Sequence, residues 1–396
     1  MQEPGWTNDP LSILIGAISQ EEFFAAYYEQ KALLHDHNNP EQFADLLSIT
    51  RVDDIIASSE LPPASLDMAR KEPPIKRSYY TFKNGNIDRG AVIRHYQQGA
   101  TIILNQLHLA DKKLATFVRA LENVFSTHVQ TNVYLTPPNS QGFSTHYDDH
   151  DVFILQIKGE KIWRLYRKPI DNPYRGESFK SGEYEVGDIE KEFILKAGDC
   201  IYIPRGMMHD AESHGEDPSL HITVGLLVKK WADLMLEAMS EVALRHPKFR
   251  RSIPPGFARE NFDKQKAAKV FTELVEEFKT EANFEEVFTF FKESFIRFRG
   301  PDVSGSLVEA SKAMEPSDKY VRRTNSQVLL RCSDKESIII CGGGNIHFGL
   351  EAYSGLETAM SGESFTMADF KGIELEEAED IIRKLNAFGL VKKIKE

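Results

Sequence analysis

Between about Ser78 and Val228 the chain is written in short runs of β-branched and aromatic residues, among them Asn132 to Leu135, Val152 to Leu155, Lys161 to Tyr166 and Cys200 to Ile203. Gly, Pro and Asn cut each run before it reaches the ten or so residues a helix needs, a pattern that pairs as antiparallel strands in a sandwich or barrel. The flanks read differently. Ser19-Gln20-Glu21-Glu22 is a capping-box-like start ahead of Phe23, Phe24, Tyr27 and Tyr28, so residues 11 to 60 are expected to form short helices covering the sheet. After Val228 apolar residues recur at three- and four-residue steps: Trp231, Leu234, Met235, Ala238, Met239 and Val242, then Val270, Phe271, Leu274, Val275 and Phe278. A third helical segment carries Phe284, Val287, Phe288, Phe291, Phe295 and Phe298. Such a stripe is more often core than interface; left uncovered, it would be buried most simply in a symmetric dimer.

Pro301 to Pro316 reads as a linker. Beyond it lie strand-like runs at Val328 to Cys332 and Ser337 to Cys341, and a hairpin turn at Gly342-Gly343-Gly344 that lacks the Lys-Ser/Thr of a phosphate loop. Helices ending in Leu375 to Phe388 and a closing strand from Leu390 to Ile394 complete a winged-helix-like module. At roughly 150 residues per domain, 396 residues allow two or three domains, and the boundaries expected are 1–228, 229–315 and 316–396.

The net charge of −12 disfavours a general phosphate-backbone binder and suits a basic protein partner. Three cysteines, Cys200, Cys332 and Cys341, with no C-x-x-C spacing, argue against a disulfide scaffold or a cysteine zinc site and for a reducing compartment. No apolar stretch is long enough to span a bilayer, and Glu3, Asp9 and Pro10 break any signal-peptide pattern. A cytoplasmic protein without membrane contact is expected.

The segment that carries chemistry is His146-Tyr147-Asp148. On a strand, residues two apart share a face, so an imidazole and a carboxylate can reach one ion together. Further on, Gly198-Asp199-Cys200-Ile201-Tyr202-Ile203-Pro204-Arg205-Gly206-Met207-Met208-His209 has the spacing of the second cupin motif. Two imidazoles and one carboxylate on one side of a metal leave three adjacent positions open, as in non-haem iron(II) oxygenases. His214 and His221 are rival third ligands, ranked below His209 because the Pro-x-Gly turn is so specific. Asp149 should face away and His150 lie one pleat further on. An isolated H-x-D arises by chance and a lone histidine on an apolar strand is usually just hydrogen-bonded; the conjunction with the second motif is what favours iron.

Such an iron needs an electron source, and 2-oxoglutarate supplies one while filling two metal positions. Its far carboxylate needs a buried cation, which Lys161 on the following strand can provide; a lysine snorkelling to the surface is an equally open reading of Glu160-Lys161. Asn132 and Tyr134, a same-face pair, and Thr223 on the last strand offer hydrogen bonds to the same anion.

The run Asn132-Val-Tyr-Leu-Thr-Pro-Pro-Asn-Ser-Gln-Gly-Phe143, continuing through His146-Tyr-Asp-Asp149 and Val152-Phe-Ile-Leu-Gln156 to Gly159-Glu-Lys-Ile-Trp-Arg-Leu-Tyr166, closely resembles the JmjC-type ribosomal oxygenases, 2-oxoglutarate-dependent hydroxylases of the cupin superfamily. The likeness is strongest over about 90–228. It implies an α+β, multidomain chain: a double-stranded β-helix, or jelly roll, with N-terminal helices, then a helical dimerisation region and a C-terminal winged-helix-like domain. It also implies that His146, Asp148 and His209 hold Fe(II), that Lys161, Asn132, Tyr134 and Thr223 bind 2-oxoglutarate, and that dioxygen is the oxidant. The implied reaction is hydroxylation at the β-carbon of a histidine or arginine in a ribosomal protein, and Asn-Val-Tyr-Leu-Thr-Pro-Pro is more like the histidine-directed members. A homodimer is implied as well.

Three rivals accompany this reading. Methyl-lysine demethylation, or hydroxylation of some other peptide, uses the same chemistry. A winged-helix nucleic-acid binder belongs to a different class, but Glu376, Glu377, Glu379 and Asp380 outnumber Arg383 and Lys384 on its recognition helix, and Lys392, Lys393 and Lys395 are the only basic cluster. A non-catalytic scaffold conflicts with an intact ligand set. Cys200 reads as small core, while Arg164 and Arg205 could equally meet substrate or line the surface.

Overall fold

The computed structural model describes residues 5–58 and 61–394. Two units emerge, the first ending at Val228 and the second beginning at Lys229.

In the first unit the helices α1 (Ser12–Ile15) and α2 (Gln20–Ala26) precede β1 (Leu33–His35), α3 (Ile49–Ser58), β2 (Leu66–Ala69), α4 (Arg89–Gln97), β3 (Thr101–Leu104) and α5 (Lys112–Phe125). The strands β4 (His128–Thr136), β5 (Asp151–Lys158), β6 (Glu160–Leu165), β7 (Lys191–Lys196), β8 (Cys200–Ile203), β9 (His209–His214) and β10 (Ser219–Leu227) follow without further α-helix. Residues 11 to 60 are therefore not wholly helical, because β1 pairs with β8 at the edge of the main sheet. Ser19 caps α2 as its sequence predicts, accepting from the Glu22 N–H at 3.1 Å.

Seven antiparallel strands form one sheet in the order β1-β8-β5-β10-β4-β3-β2, and β7-β6-β9 form a second. Period-two alternation assigns the faces. On β10, Leu220, Ile222, Val224 and Leu226 join Phe117, Val118 and Leu121 of α5 in the large core behind the main sheet. From the opposite face of that sheet, Val152 and Ile154 of β5 and Ile201 and Ile203 of β8 meet Trp163 and Leu165 of β6 and Leu195 of β7. The two sheets thus enclose their own core, the jelly-roll arrangement expected from the sequence. β5 is buried on both faces, which explains its unbroken apolar run.

The second unit begins with α6 (Trp231–Arg245), α7 (Lys264–Glu281) and α8 (Phe284–Phe298). It closes with α9 (Ser306–Ala310), β11 (Tyr320–Arg322), β12 (Leu329–Cys332), β13 (Ser337–Cys341), β14 (Gly344–Phe348), α10 (Tyr353–Met360), α11 (Leu375–Ala387) and β15 (Val391–Lys393). The stretch expected as linker contains a helix, anchored where Ser306 Oγ donates to the Asn386 carbonyl at 2.9 Å. The triple glycine turns into a third strand, β14, that the sequence pattern did not predict. The phenylalanine stripe departs furthest from expectation: Phe284, Phe288, Phe290 and Phe298 of α8 are exposed, and only Val287, Glu293 and Ile296 on that helix are buried.

Candidate metal centre

His146 and Asp148 lie on irregular backbone ahead of β5, not on a strand as the H-x-D spacing suggested. A single bridge holds them in place: the His209 N–H donates to the His146 carbonyl at 2.7 Å, and the His146 N–H to the His209 carbonyl at 3.1 Å. The Gly206 N–H then donates to the Asp148 carbonyl at 2.9 Å, tying the Pro-x-Gly turn to the same segment. Gly206 has φ +83°, and a Cβ there would lie 2.2 Å from the Ile170 carbonyl oxygen, so only glycine suits the turn that delivers His209. Tyr147 is buried away from its two neighbours, so the alternation the motif needs survives without the strand.

One donor atom from each of His146, Asp148 and His209 lies within 4.8 Å of the others. His209 Nε2 and Asp148 Oδ2 are 3.8 Å apart, too far for a hydrogen bond and between the about 3 and 4.3 Å that two donors bound at 2.0–2.2 Å to one ion would show. Both imidazoles are fixed from behind. His146 Nδ1 lies 2.9 Å from the Ser144 carbonyl and His209 Nδ1 3.0 Å from the Met207 carbonyl; a carbonyl only accepts, so each Nδ1 carries the proton and each Nε2 presents a lone pair. Burial and the neighbouring His146 pull the His209 pKa down to about 4, keeping it neutral. A divalent cation fits this donor set. His214 is exposed and His221 lies elsewhere in the cavity, so neither competes with His209.

Asp210, immediately after His209, accepts from Thr145 Oγ1 at 2.7 Å, from the Tyr166 hydroxyl at 2.7 Å and from Arg164 at 3.3 Å. Through Thr145 it joins the two ligand-bearing segments by side chains as well as backbone. Arg164 spends its remaining donors on Glu192 and Glu212, which answers the question the sequence left open about it. Asp149 accepts from Ser178 and pairs with His150, outside the ligand set.

The ligand atoms open into a cavity of about 290 Å³ whose wall includes Tyr134, Val152, Ile154, Lys161, Trp163, His221 and Thr223. All of these residues except Val152 and Ile154 are polar or carry a polar tip, and each occupies an inward-facing strand position. Lys161 is buried, not snorkelling, and burial pulls its pKa down to about 7. Asn132 does not line the cavity; its Oδ1 accepts from the Gln106 N–H at 3.0 Å. Trp163, Asp210 and His221 as a cavity residue were not singled out from the sequence. Counting two residues on from Lys161, or two back from Thr223, reaches the first and last of them; nothing in the sequence marks Asp210.

Residues 104–234 match the JmjC domain. The chain is 32% identical over 255 residues to a Drosophila grimshawi protein named bifunctional lysine-specific demethylase and histidyl-hydroxylase NO66, covering 62% of this chain and 35% of that one. A protein of the same name from Aedes aegypti is 32% identical over 243 residues, 59% of this chain and 38% of the relative. The chain thus spans about a third of the length of the curated relatives it matches. Among solved structures, E. coli ycfD superposes with a TM-score of 0.56 at 15% identity, covering 95% of this chain and 98% of its own. The E. coli YcfD ribosomal oxygenase in complex with cobalt and 2-oxoglutarate gives 0.54 at 15% identity, covering 96% and 99%. Fold, domain match and donor geometry coincide: residues 104–234 match the JmjC domain, and the chain shares the fold of the E. coli ribosomal oxygenase.

Proposed function

We propose that the chain is an Fe(II)- and 2-oxoglutarate-dependent dioxygenase that hydroxylates the β-carbon of a histidine or arginine in a ribosomal protein. The observation that carries this reading is the convergence of three metal-fitting donors and one uncompensated buried ammonium on a single cavity. Bound there with 2-oxoglutarate, iron(II) would supply the activation of dioxygen. His146, Asp148 and His209 would hold the ion through atoms whose orientation is set before it arrives. Lys161, with Tyr134 and Thr223, would hold the co-substrate's far carboxylate, with Asn132 two residues before Tyr134 on β4. Val152, Ile154 and the Trp163 ring exclude water from the wall between.

The name of the Drosophila relative supports a second reading, removal of a methyl group from a lysine. One experiment separates the two: the protein is incubated with Fe(II), 2-oxoglutarate and intact ribosomal proteins, and peptides are mapped by mass spectrometry. A gain of one oxygen supports hydroxylation and loss of one methylene supports demethylation; neither change, with 2-oxoglutarate turnover also absent, overturns the dioxygenase reading.

Within the second unit the proposal divides residues 229–315 as a helical dimerisation region from 316–396 as a winged-helix-like domain. The exposed apolar side chains of α6, α7 and α8 support a homodimer. No described helix is long and apolar enough to cross a membrane. Three free cysteines agree with the cytoplasm. The acidic first turn of α11 and the ion pair of Lys393 with Asp318 at 2.6 Å lend the nucleic-acid reading no support.

A further inference from the structure

His221 stands on β10 directly opposite Tyr134 of β4 and two residues before Thr223. Its ring lies parallel to the Tyr134 ring, 7° from coplanar with centroids 4.7 Å apart, and edge-on to Trp163 at 6.0 Å and 77°. The residue is 4% exposed and lines the cavity. Its Nδ1 is sealed from solvent with no hydrogen-bond partner among the described residues. A histidine that was mere packing would cost the fold an unsatisfied polar group for stacking that a phenylalanine supplies without one.

The two ring nitrogens are not equivalent. A buried N–H without an acceptor is rarer and costlier than a buried lone pair without a donor, so the sealed Nδ1 is the bare nitrogen and the proton sits on Nε2. Burial and the nearby Lys161 hold the ring neutral. Nε2–H is then the one polar group His221 has to offer a ligand. Beside it the cavity wall carries Lys161, Tyr134 and Thr223. Among the described residues the Lys161 ammonium has no counter-ion. The Lys161 ammonium on β6 and the His221 N–H on β10 line one cavity, and among the described residues neither is paired with an acceptor, an arrangement complementary to a carboxylate.

Building on the dioxygenase reading, we propose that His221 is a carboxylate-binding residue, its Nε2–H and the Lys161 ammonium together gripping the far carboxylate of 2-oxoglutarate. His221 would fix the plane of that carboxylate where Lys161, a point charge on a flexible stem, cannot.

The test is calorimetric titration of the Mn(II)-loaded 396-residue chain with 2-oxoglutarate and, separately, with oxalate, which can chelate the metal but has no far carboxylate. His221→Phe keeps the stacked ring and removes the donor; His221→Gln keeps a donor. The phenylalanine variant is expected to bind 2-oxoglutarate about tenfold more weakly, the cost of one hydrogen bond to a charged group, and oxalate as well as wild type does. The glutamine variant should recover most of the loss. Unchanged 2-oxoglutarate affinity in His221→Phe, or an equal loss for both anions, overturns the role of His221 while leaving the dioxygenase reading intact. A wild-type protein that took up Mn(II) but bound neither anion would overturn that reading itself.

Discussion

Lys161 places a cation where the described residues supply no answering charge, and its protonation carries two consequences. An ordinary lysine titrates near 10.4, whereas burial pulls this one down to about 7. Between those values the unfolded chain holds a proton that the ligand-free folded chain has released, so stability rises with pH across that window and is lowest below about 7. Lys161→Met is therefore expected to raise the thermal midpoint of the ligand-free protein at about pH 6, by the equivalent of about 1 kcal/mol or more. The gap to wild type should narrow as the pH rises towards 9, which thermal scans across that range would show. The same variant should lose 2-oxoglutarate binding. In the wild type, binding the dianion requires the charged amine, so above about pH 7 the apparent dissociation constant should rise, by up to tenfold per pH unit. A flat profile would move the charge elsewhere. The metal ligands make a separate prediction: His146→Ala or Asp148→Ala should each lower bound metal to trace levels by elemental analysis and remove hydroxylation with it. Hydroxylation by either variant at wild-type metal content would contradict the assignment.

At the scale of elements, the turn bearing His209 is held by a buried ionic cluster. Arg205 Nη1 lies 2.5 Å from Asp151 Oδ2 and 2.7 Å from Glu29 Oε1, while the Tyr202 hydroxyl donates to Asp151 Oδ1 at 2.7 Å and itself accepts from the Glu29 N–H at 2.8 Å. The start of β5, the end of β8 and the chain after α2 are thereby joined at one point. Asp151 is fully buried and Arg205 nearly so, so deleting the carboxylate strands a guanidinium in the interior. Asp151→Ala should cost about 3 to 5 kcal/mol in denaturant unfolding, and Asp151→Leu combined with Arg205→Met should cost less than Asp151→Ala alone. A double variant less stable than the single one would mean that the cluster contributes net stability. The sequence carried the strands around this cluster, because each is a short run with its own turn signals, and the metal set, because His146, Asp148 and His209 sit in motifs of fixed spacing. Arg205 stayed ambiguous since its partners are 54 and 176 residues away in the chain. The strand expected under His146 and Asp148 was wrong for a related reason: their geometry comes from a single bridge to His209, a contact that neighbouring residues do not encode.

For the whole molecule the open question is what covers the helices of the second unit. α7 runs for 18 residues without burying one of them, although Val270, Phe271 and Val275 form an apolar stripe and are exposed. Helical propensity alone leaves a segment of that length marginal in water, so packing of its exposed stripe against a further surface would add to its stability. On α6, Trp231 is 76% exposed, and on α8 Phe298 is 79% exposed with Phe284 and Phe288 about half so. Full burial of each such side chain contributes about 1.5 to 3 kcal/mol, and a single soluble chain rarely displays this many together. The occupant proposed is a second copy, which presents the same stripes and closes the assembly by two-fold symmetry. Because these positions are exposed within the chain, acidic substitutions there should disturb association and not folding. Phe271→Asp combined with Phe288→Asp is expected to sediment at the mass of one 45.0 kDa chain, while the wild type sediments at twice that mass at micromolar concentration. Circular dichroism of the variant would confirm that the jelly roll is intact. A wild type that sedimented as a single chain would overturn the dimer and leave the stripes for a different partner.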